Sequence, residues 1–193
     1  MRAFADLFLA LDGTTKTNAK VTALAAYFQS AKEDDRLWTI ALLSGRRPKR
    51  TVTATKLREW AAEASDLPLW LFEESYAIVG DLAETIALVL PAGQGSTNRS
   101  LTSWLEDIKS LGAQDEDARK DWILRAWSGL GTGERFVFNK LLTGGFRMGV
   151  SRKLMTRALS KATEIEEAEL AHRLMGDWTP DTTTYADLVL APN

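Results

Sequence analysis

Short blocks from the first half of this sequence return, in order, in the second. Asp35-Arg36-Leu37 with Leu42-Leu43-Ser44-Gly45 reappears 99 residues later as Glu134-Arg135-Phe136 with Leu141-Leu142-Thr143-Gly144. Phe28 matches Trp127 at the same offset of 99, Lys56-Leu57 matches Lys153-Leu154 at 97, and Gly80-Asp81 matches Gly176-Asp177 at 96. Any one pair is what chance allows between two leucine-rich helices. Five pairs in chain order, drifting as small loop deletions would, point to a duplicated structural unit. The 193 residues are therefore expected to form a single domain, 1–193, built from two pseudo-twofold-related halves at about 1–90 and 100–177. Between them, Pro91-Ala92-Gly93-Gln94-Gly95-Ser96-Thr97-Asn98 reads as a linker over 91–99, and 178–193 as a C-terminal segment.

Within each copy the apolar residues keep a helical rather than a strand period. Val21, Leu24, Ala25 and Phe28, and again Leu57, Trp60, Ala61 and Ala64, follow i, i+3, i+4, i+7. Start signals agree: Asp66 before Leu67-Pro68, Ser151 before a periodic stretch, and Thr163-Glu164-Ile165-Glu166 as a capping box. The expected fold class is all-α with about ten helices. Arg50–Thr55 reads as a loop, and Gly129-Leu130-Gly131-Thr132-Gly133-Glu134 as a helix–helix turn, because it follows a helix and lacks the Lys-Ser/Thr of a phosphate-binding loop.

Composition removes several chemistries. There is no cysteine, and His172 is the single histidine, so disulfides, thiolate or His-based metal sites and cysteine nucleophiles are excluded. His172 itself is expected on an exposed helix near its C-terminal end. The acidic runs Glu33-Asp34-Asp35, Glu73-Glu74 and Glu166-Glu167 diverge around a helix and read as solvated faces. Most of the seven tryptophans are expected in the core. No run of 18 apolar residues exists, and Asp6 interrupts any signal-peptide core, so no membrane association is expected.

The overall charge of −2 hides a strong segregation. Gly45–Arg58 carries Arg46, Arg47, Lys49, Arg50, Lys56 and Arg58; Arg147–Lys161 carries Arg147, Arg152, Lys153, Arg157 and Lys161. These two windows hold 11 of the 24 cations and none of the 26 acids. They occupy equivalent places in the repeat, each following a leucine-rich helix and a glycine turn and leading into another helix. Glycine lets a backbone approach an anion, a helix start offers free amides, and Arg or Lys supplies charge, so the windows suit phosphates. Duplex DNA, with its dense charge and local twofold symmetry, is the matching polyanion. A helical protein–protein interaction scaffold with basic docking strips is the alternative.

Thr143-Gly144-Gly145-Phe146-Arg147-Met148-Gly149-Val150, followed by a helix carrying Leu154, Ala158 and Leu159, resembles the Gly-Arg-hydrophobic-Gly segment in the N-terminal DNA-binding domain of ATP-dependent DNA ligases. Phe4-Ala5-Asp6-Leu7-Phe8, the Lys16-Thr17-Asn18 turn, Leu42-Leu43-Ser44-Gly45 and Gly80-Asp81-Leu82-Ala83-Glu84 fall in that domain's order, and the resemblance runs from about Arg2 to Asp177. Ser44-Gly45-Arg46-Arg47-Pro48-Lys49-Arg50 is similar to the version in ligases that bacteria encode beside large helicases. The resemblance implies sequence-independent binding of nicked double-stranded DNA across the minor groove, in DNA repair, replication or recombination.

The residues expected to meet DNA are Lys16, Thr17, Asn18, Arg46, Arg47, Lys49, Arg50 and Lys56 from the first half. From the second they are Gly144, Gly145, Arg147, Gly149, Ser151, Arg152, Lys153 and Arg157. Ligases of this type adenylate a lysine in Lys-x-Asp-Gly, whereas the one Asp-Gly here, Asp12-Gly13, is preceded by Ala10 at the lysine position. The chain alone is therefore expected to be catalytically inactive and to hold no cofactor or metal. ATP and Mg belong to the full-length ligase, whose catalytic domains are expected partners. A monomer in the bacterial cytoplasm, associated with the nucleoid, completes the expectation.

Overall fold

In a computed structural model of the chain, residues 1–95 and 97–192 are described; Ser96 of the expected linker and Asn193 of the expected C-terminal segment lie outside them. The fold is all-α. The helices are α1 (Arg2–Asp12), α2 (Thr17–Ser30), α3 (Glu33–Leu43), α4 (Ala54–Ala64), α5 (Leu69–Val79) and α6 (Leu82–Val89). They continue with α7 (Leu101–Ser110), α8 (Glu116–Gly129), α9 (Thr132–Thr143), α10 (Arg152–Thr163) and α11 (Glu167–Leu174). A 3-10 turn at Leu111–Ala113 and a π turn at Ala186–Leu190 complete the described elements.

The starts of α1 to α5 recur in α7 to α11 at offsets of 99, 99, 99, 98 and 98 residues. Local backbone geometry follows the same register. Gly45 (φ 84°) and Gly144 (φ 76°) both take the left-handed conformation that ends α3 and α9, as do Gly80 (φ 81°) and Gly176 (φ 95°). Among the described residues, the two non-glycine residues with positive φ, Asp66 (56°) and Glu164 (64°), are also 98 apart and close α4 and α10. That corrects two start signals. Asp66 is not an N-cap, because Pro68 precedes α5; Thr163-Glu164 ends α10, and Glu166 precedes α11. Ser151 does cap α10, its hydroxyl accepting from the Leu154 amide, and Thr53 does the same for Lys56 on α4. Those caps set the helix register at 98, so Leu57 corresponds to Met155 rather than to Leu154. Ala54 and Thr55, expected in a loop, form the first turn of α4.

The compact units of the fold are not the expected sequence halves. One unit comprises Met1–Arg2, Pro48–Arg99 and Ser103–Gly145; the other comprises Ala3–Arg47, Ser100–Thr102 and Phe146–Asn193. The breaks after Arg47 and Gly145 lie 98 residues apart, so each unit joins the early helices of one copy to the late helices of the other. Side-chain complementarity dictates this: α10 packs on α2 in the second unit, and α6 on α9 in the first. In the first unit Trp104, Trp122 and Phe138 meet ring to ring, with centroids 5.4–5.7 Å apart. In the second, Phe146 meets Phe4 and Phe8 edge-on at 5.8 and 5.9 Å.

The polar interior is duplicated too. Arg36 in α3 donates to the carbonyls of Ala31 and Gln29 at the end of α2; its counterpart Arg135 in α9 donates to Trp127 near the end of α8. Arg135 is buried, and desolvation lowers its pKa, yet a further bond to the Pro91 carbonyl keeps its donors occupied. That bond, and Gln94 N–H donating to Ser128, hold the described part of the expected linker against its unit. Gly93 is forced there, since a Cβ would lie 1.8 Å from the Leu130 carbonyl oxygen.

Asp35 corrects the reading of its acidic run as merely solvated. Its carboxylate accepts from the amide and hydroxyl of Thr102 at 2.9 and 2.6 Å. Six tryptophans are buried or half-buried, while Trp70 is 63% exposed. His172 is exposed on the last turn of α11, where a cation is mildly favoured.

Candidate nucleic-acid interface

The unit boundary after Arg47 splits the first basic window, whereas the second, Arg147–Lys161, lies wholly within the second unit. The second unit collects Arg46, Arg47, Arg147, Arg152, Lys153, Arg157 and Lys161; the first keeps Lys49, Arg50, Lys56 and Arg58. Seven cations therefore fall on one unit and four on the other.

In the second unit, α3 ends in a tight turn: the Arg46 amide reaches back to the Ala41 carbonyl at 2.7 Å and that of Gly45 to Leu42 at 3.3 Å. The start of α10 carries Ser151, Arg152 and Lys153, all exposed. Ser44 and Arg46 share with Val150, Ser151 and Arg152 the wall of a 260 Å³ cavity floored by Ile40, Leu43, Met155, Leu174 and Trp178. The side chains of Arg147, Arg152, Lys153 and Lys161 have no hydrogen-bond or ion-pair partner among the described residues. Their donors face water, and the helix-start amides add to the positive field.

Arg46 is different. Its guanidinium donates to the carbonyls of Trp178, Leu174 and Gly176 at 3.2, 3.2 and 2.6 Å. It also stacks over the Trp178 ring, 4.6 Å from the centroid. The expected phosphate ligand is thus a strut that ties the Leu174–Trp178 turn to the end of α3, although its charge still adds to the local field. Arg47 beside it is exposed. Arg157 is half-buried and donates to Asn18 Oδ1 at 3.3 Å, joining α10 to the exposed Lys16-Thr17-Asn18 start of α2.

In the first unit most of the charge is compensated. Lys56 pairs with Glu116 at 2.8 Å and Glu59 at 3.3 Å, and these partners, Glu116 foremost, raise its pKa. Arg58 pairs with Glu73 at 3.2 Å. Arg50 donates to the Thr143 carbonyl at 2.8 Å, bringing the first window beside Gly144 and Gly145. Lys49 is exposed with no such partner among the described residues. Sequence reasoning missed these acids because Glu116 and Glu73 lie outside the acid-free window and arrive only by folding.

It also missed two cations. Lys20 on α2 donates to the carbonyls of Met148 and Gly149 at 3.0 and 3.4 Å, and Arg119 on α8 donates to the carbonyl of Thr51 at 3.0 Å. Neither lies in a basic window. The signal that could have found them is the repeat, since 20 and 119 are 99 apart.

The family model described as DNA ligase N terminus matches residues 1–160, which includes ten of the eleven window cations and both glycine turns. The chain belongs to this DNA ligase N-terminus family. No curated protein sequence matches it. In this ligase N-terminal chain, no described residues form a group of three or more His, Cys, Asp or Glu side chains able to hold a metal ion. No described helix is long and apolar enough to cross a membrane.

Proposed function

We propose that this chain is the DNA-holding part of an ATP-dependent DNA ligase, binding nicked duplex DNA through its phosphates from the minor-groove side without reading sequence. The observation that carries the reading is the set of uncompensated cations Arg147, Arg152, Lys153 and Lys161 at and along α10, beside the glycine-bearing loop Phe146–Val150. Arginine and lysine without carboxylate partners are free to contact phosphate, and contacts to phosphate carry no base information. Arg47 and Gly149 belong to the same unit as α10; in the other unit Lys49 and Arg50 form a weaker patch with Gly144 and Gly145, whose small size lets backbone approach phosphate. Adenylation with ATP and Mg falls to the catalytic domains of the same ligase, which are the natural protein partners of this monomeric domain. Repair, replication or recombination of the bacterial nucleoid are the settings such an activity serves.

The test is equilibrium binding of the full chain to a nicked duplex across salt concentrations. Five to seven phosphate contacts give a log K against log salt slope of about −4.5 to −6, at roughly −0.9 per contact. Scrambling the sequence should leave affinity within about threefold. A slope near zero, or retention of an acidic protein in preference to DNA, would replace this reading with that of an interaction scaffold.

A further inference from the structure

The two cations missed by sequence reasoning make the same contact twice. Lys20 and Arg119 are repeat counterparts, 99 residues apart, on α2 and α8. Gly149 and Thr51, whose carbonyls they hold, are counterparts at offset 98, two residues before the N-caps Ser151 and Thr53 of α10 and α4. Lys20 and Gly149 belong to one compact unit, Arg119 and Thr51 to the other. Each unit has thus arrived at one geometry with a different side chain, which is the mark of a device rather than of an incidental surface bond.

We infer that Lys20 and Arg119 are positioning residues: each clamps the loop before a basic helix, so that the cations of that loop and of the helix start are fixed in place before DNA arrives. This rests on the DNA-binding reading above. The physical argument is preorganisation. A loop that must be ordered on binding loses affinity to the entropy of ordering, and a charge-assisted bond to its carbonyl removes that loss in advance. Gly149 shows how closely the clamp is built, because a Cβ there would lie 2.7 Å from Lys20 Nζ and its φ is +65°.

The two clamps differ in stiffness. Arg119 also donates to the carbonyls of Leu111 and Gly112 at 2.7 and 3.1 Å, and Thr51 Oγ1 donates to Ile108 at 3.0 Å. Among the described residues, the Lys20 side chain has only the two successive carbonyls of Met148 and Gly149. The second loop, which carries the uncompensated Arg147, is anchored by the buried Phe146 and Met148, and Lys20 alone among the described side chains bonds the carbonyls of Met148 and Gly149.

The experiment uses the full chain with Lys20→Ala and the rescuing Lys20→Arg, each alone and combined with Arg147→Ala. Hydrogen exchange reads the clamp without DNA. Lys20→Ala should speed exchange across residues 147–151 while α6 and α9 stay protected, and Lys20→Arg should restore the protection. Affinity for nicked duplex should then fall about tenfold in Lys20→Ala with unchanged circular dichroism, and the loss should shrink to less than threefold in the Arg147→Ala background. Unchanged exchange in Lys20→Ala overturns the clamp. Faster exchange with unchanged affinity overturns its role in binding, and equal losses in both backgrounds make Lys20 a direct phosphate contact instead. If the wild-type chain does not bind DNA, the reading of function fails while the exchange result still decides whether the clamp exists.

Discussion

The Arg46 guanidinium lies 4.6 Å from the centre of the Trp178 ring while reaching three backbone carbonyls of the same turn. Both Trp178 and Leu174 are buried, so the strut closes the second unit around the end of α3. Arg46→Ala should destabilise the chain by roughly 2–3 kcal/mol, the sum expected for charge-assisted bonds to carbonyls and a cation–π contact. Arg46→Lys should recover less than half, because a point ammonium cannot reproduce a planar fork. Lys49→Ala, at an exposed site, should stay within about 0.5 kcal/mol of wild type. Urea unfolding followed by tryptophan fluorescence measures all three.

Lys56 and Lys153 look equivalent in sequence and are not equivalent in their partners. Lys56 is held by Glu116 and Glu59, whereas Lys153 has no carboxylate partner among the described residues. Lys153→Ala should reduce the salt slope of DNA binding by about 0.9, the share of one phosphate contact. Lys56→Ala should leave slope and affinity nearly unchanged. A slope loss from Lys56→Ala equal to that of Lys153→Ala would show that its ion pairs open on binding.

Gly144 and Gly145 are neighbours with different requirements. Gly144 ends α9 at φ 76°, a region that costs an L-residue roughly 1–2 kcal/mol, while a Cβ at Gly145 meets only the end of the Lys140 side chain at 3.4 Å as its nearest contact. Gly144→Ala should therefore lower thermal stability, and Gly145→Ala should not. Scanning calorimetry of the two variants separates conformational demand from close approach to DNA, because only the latter could make Gly145→Ala weaken binding at unchanged stability.

Tyr27 is buried, and burial pushes its phenol well above the ordinary value; its hydroxyl accepts from Thr39, 2.8 Å away. A group whose folded pKa is raised contributes stability that is intact below its unfolded pKa and lost as pH rises toward the folded one. Stability should therefore decline as pH climbs past 10, the ordinary phenol value. Tyr27→Phe should flatten that decline at some cost in neutral stability, as followed by urea midpoints between pH 7 and 11.

Helix type and repeat register were legible because they are local. The i, i+3, i+4 apolar spacing sets a helix, and Gly45 and Gly144 mark the end of α3 and α9 wherever those helices pack. Ser151 was legible as a cap for the same reason. Asp66 and Glu164 were misread because a left-handed residue closing one helix stands two or three residues before the next, where an acidic side chain reads as a start signal. Among the site residues, Arg147, Arg152 and Lys153 are exposed, while Arg46 is absorbed into packing against Trp178.

The sequence by itself determined an all-helical chain, a duplication with an offset near 99, and two acid-free windows at equivalent positions, since each is a property of spacing along the chain. Tertiary structure decided which helices share a core and which cations remain uncompensated. It placed α2 against α10 and α6 against α9, so the compact units cross the boundary between the copies. It also brought Glu116 to Lys56 and left Arg152 without a carboxylate partner among the described residues. The physical reason is that helix faces of similar apolarity do not name their partners. Pairing depends on shape and on charges that meet only once the chain has folded.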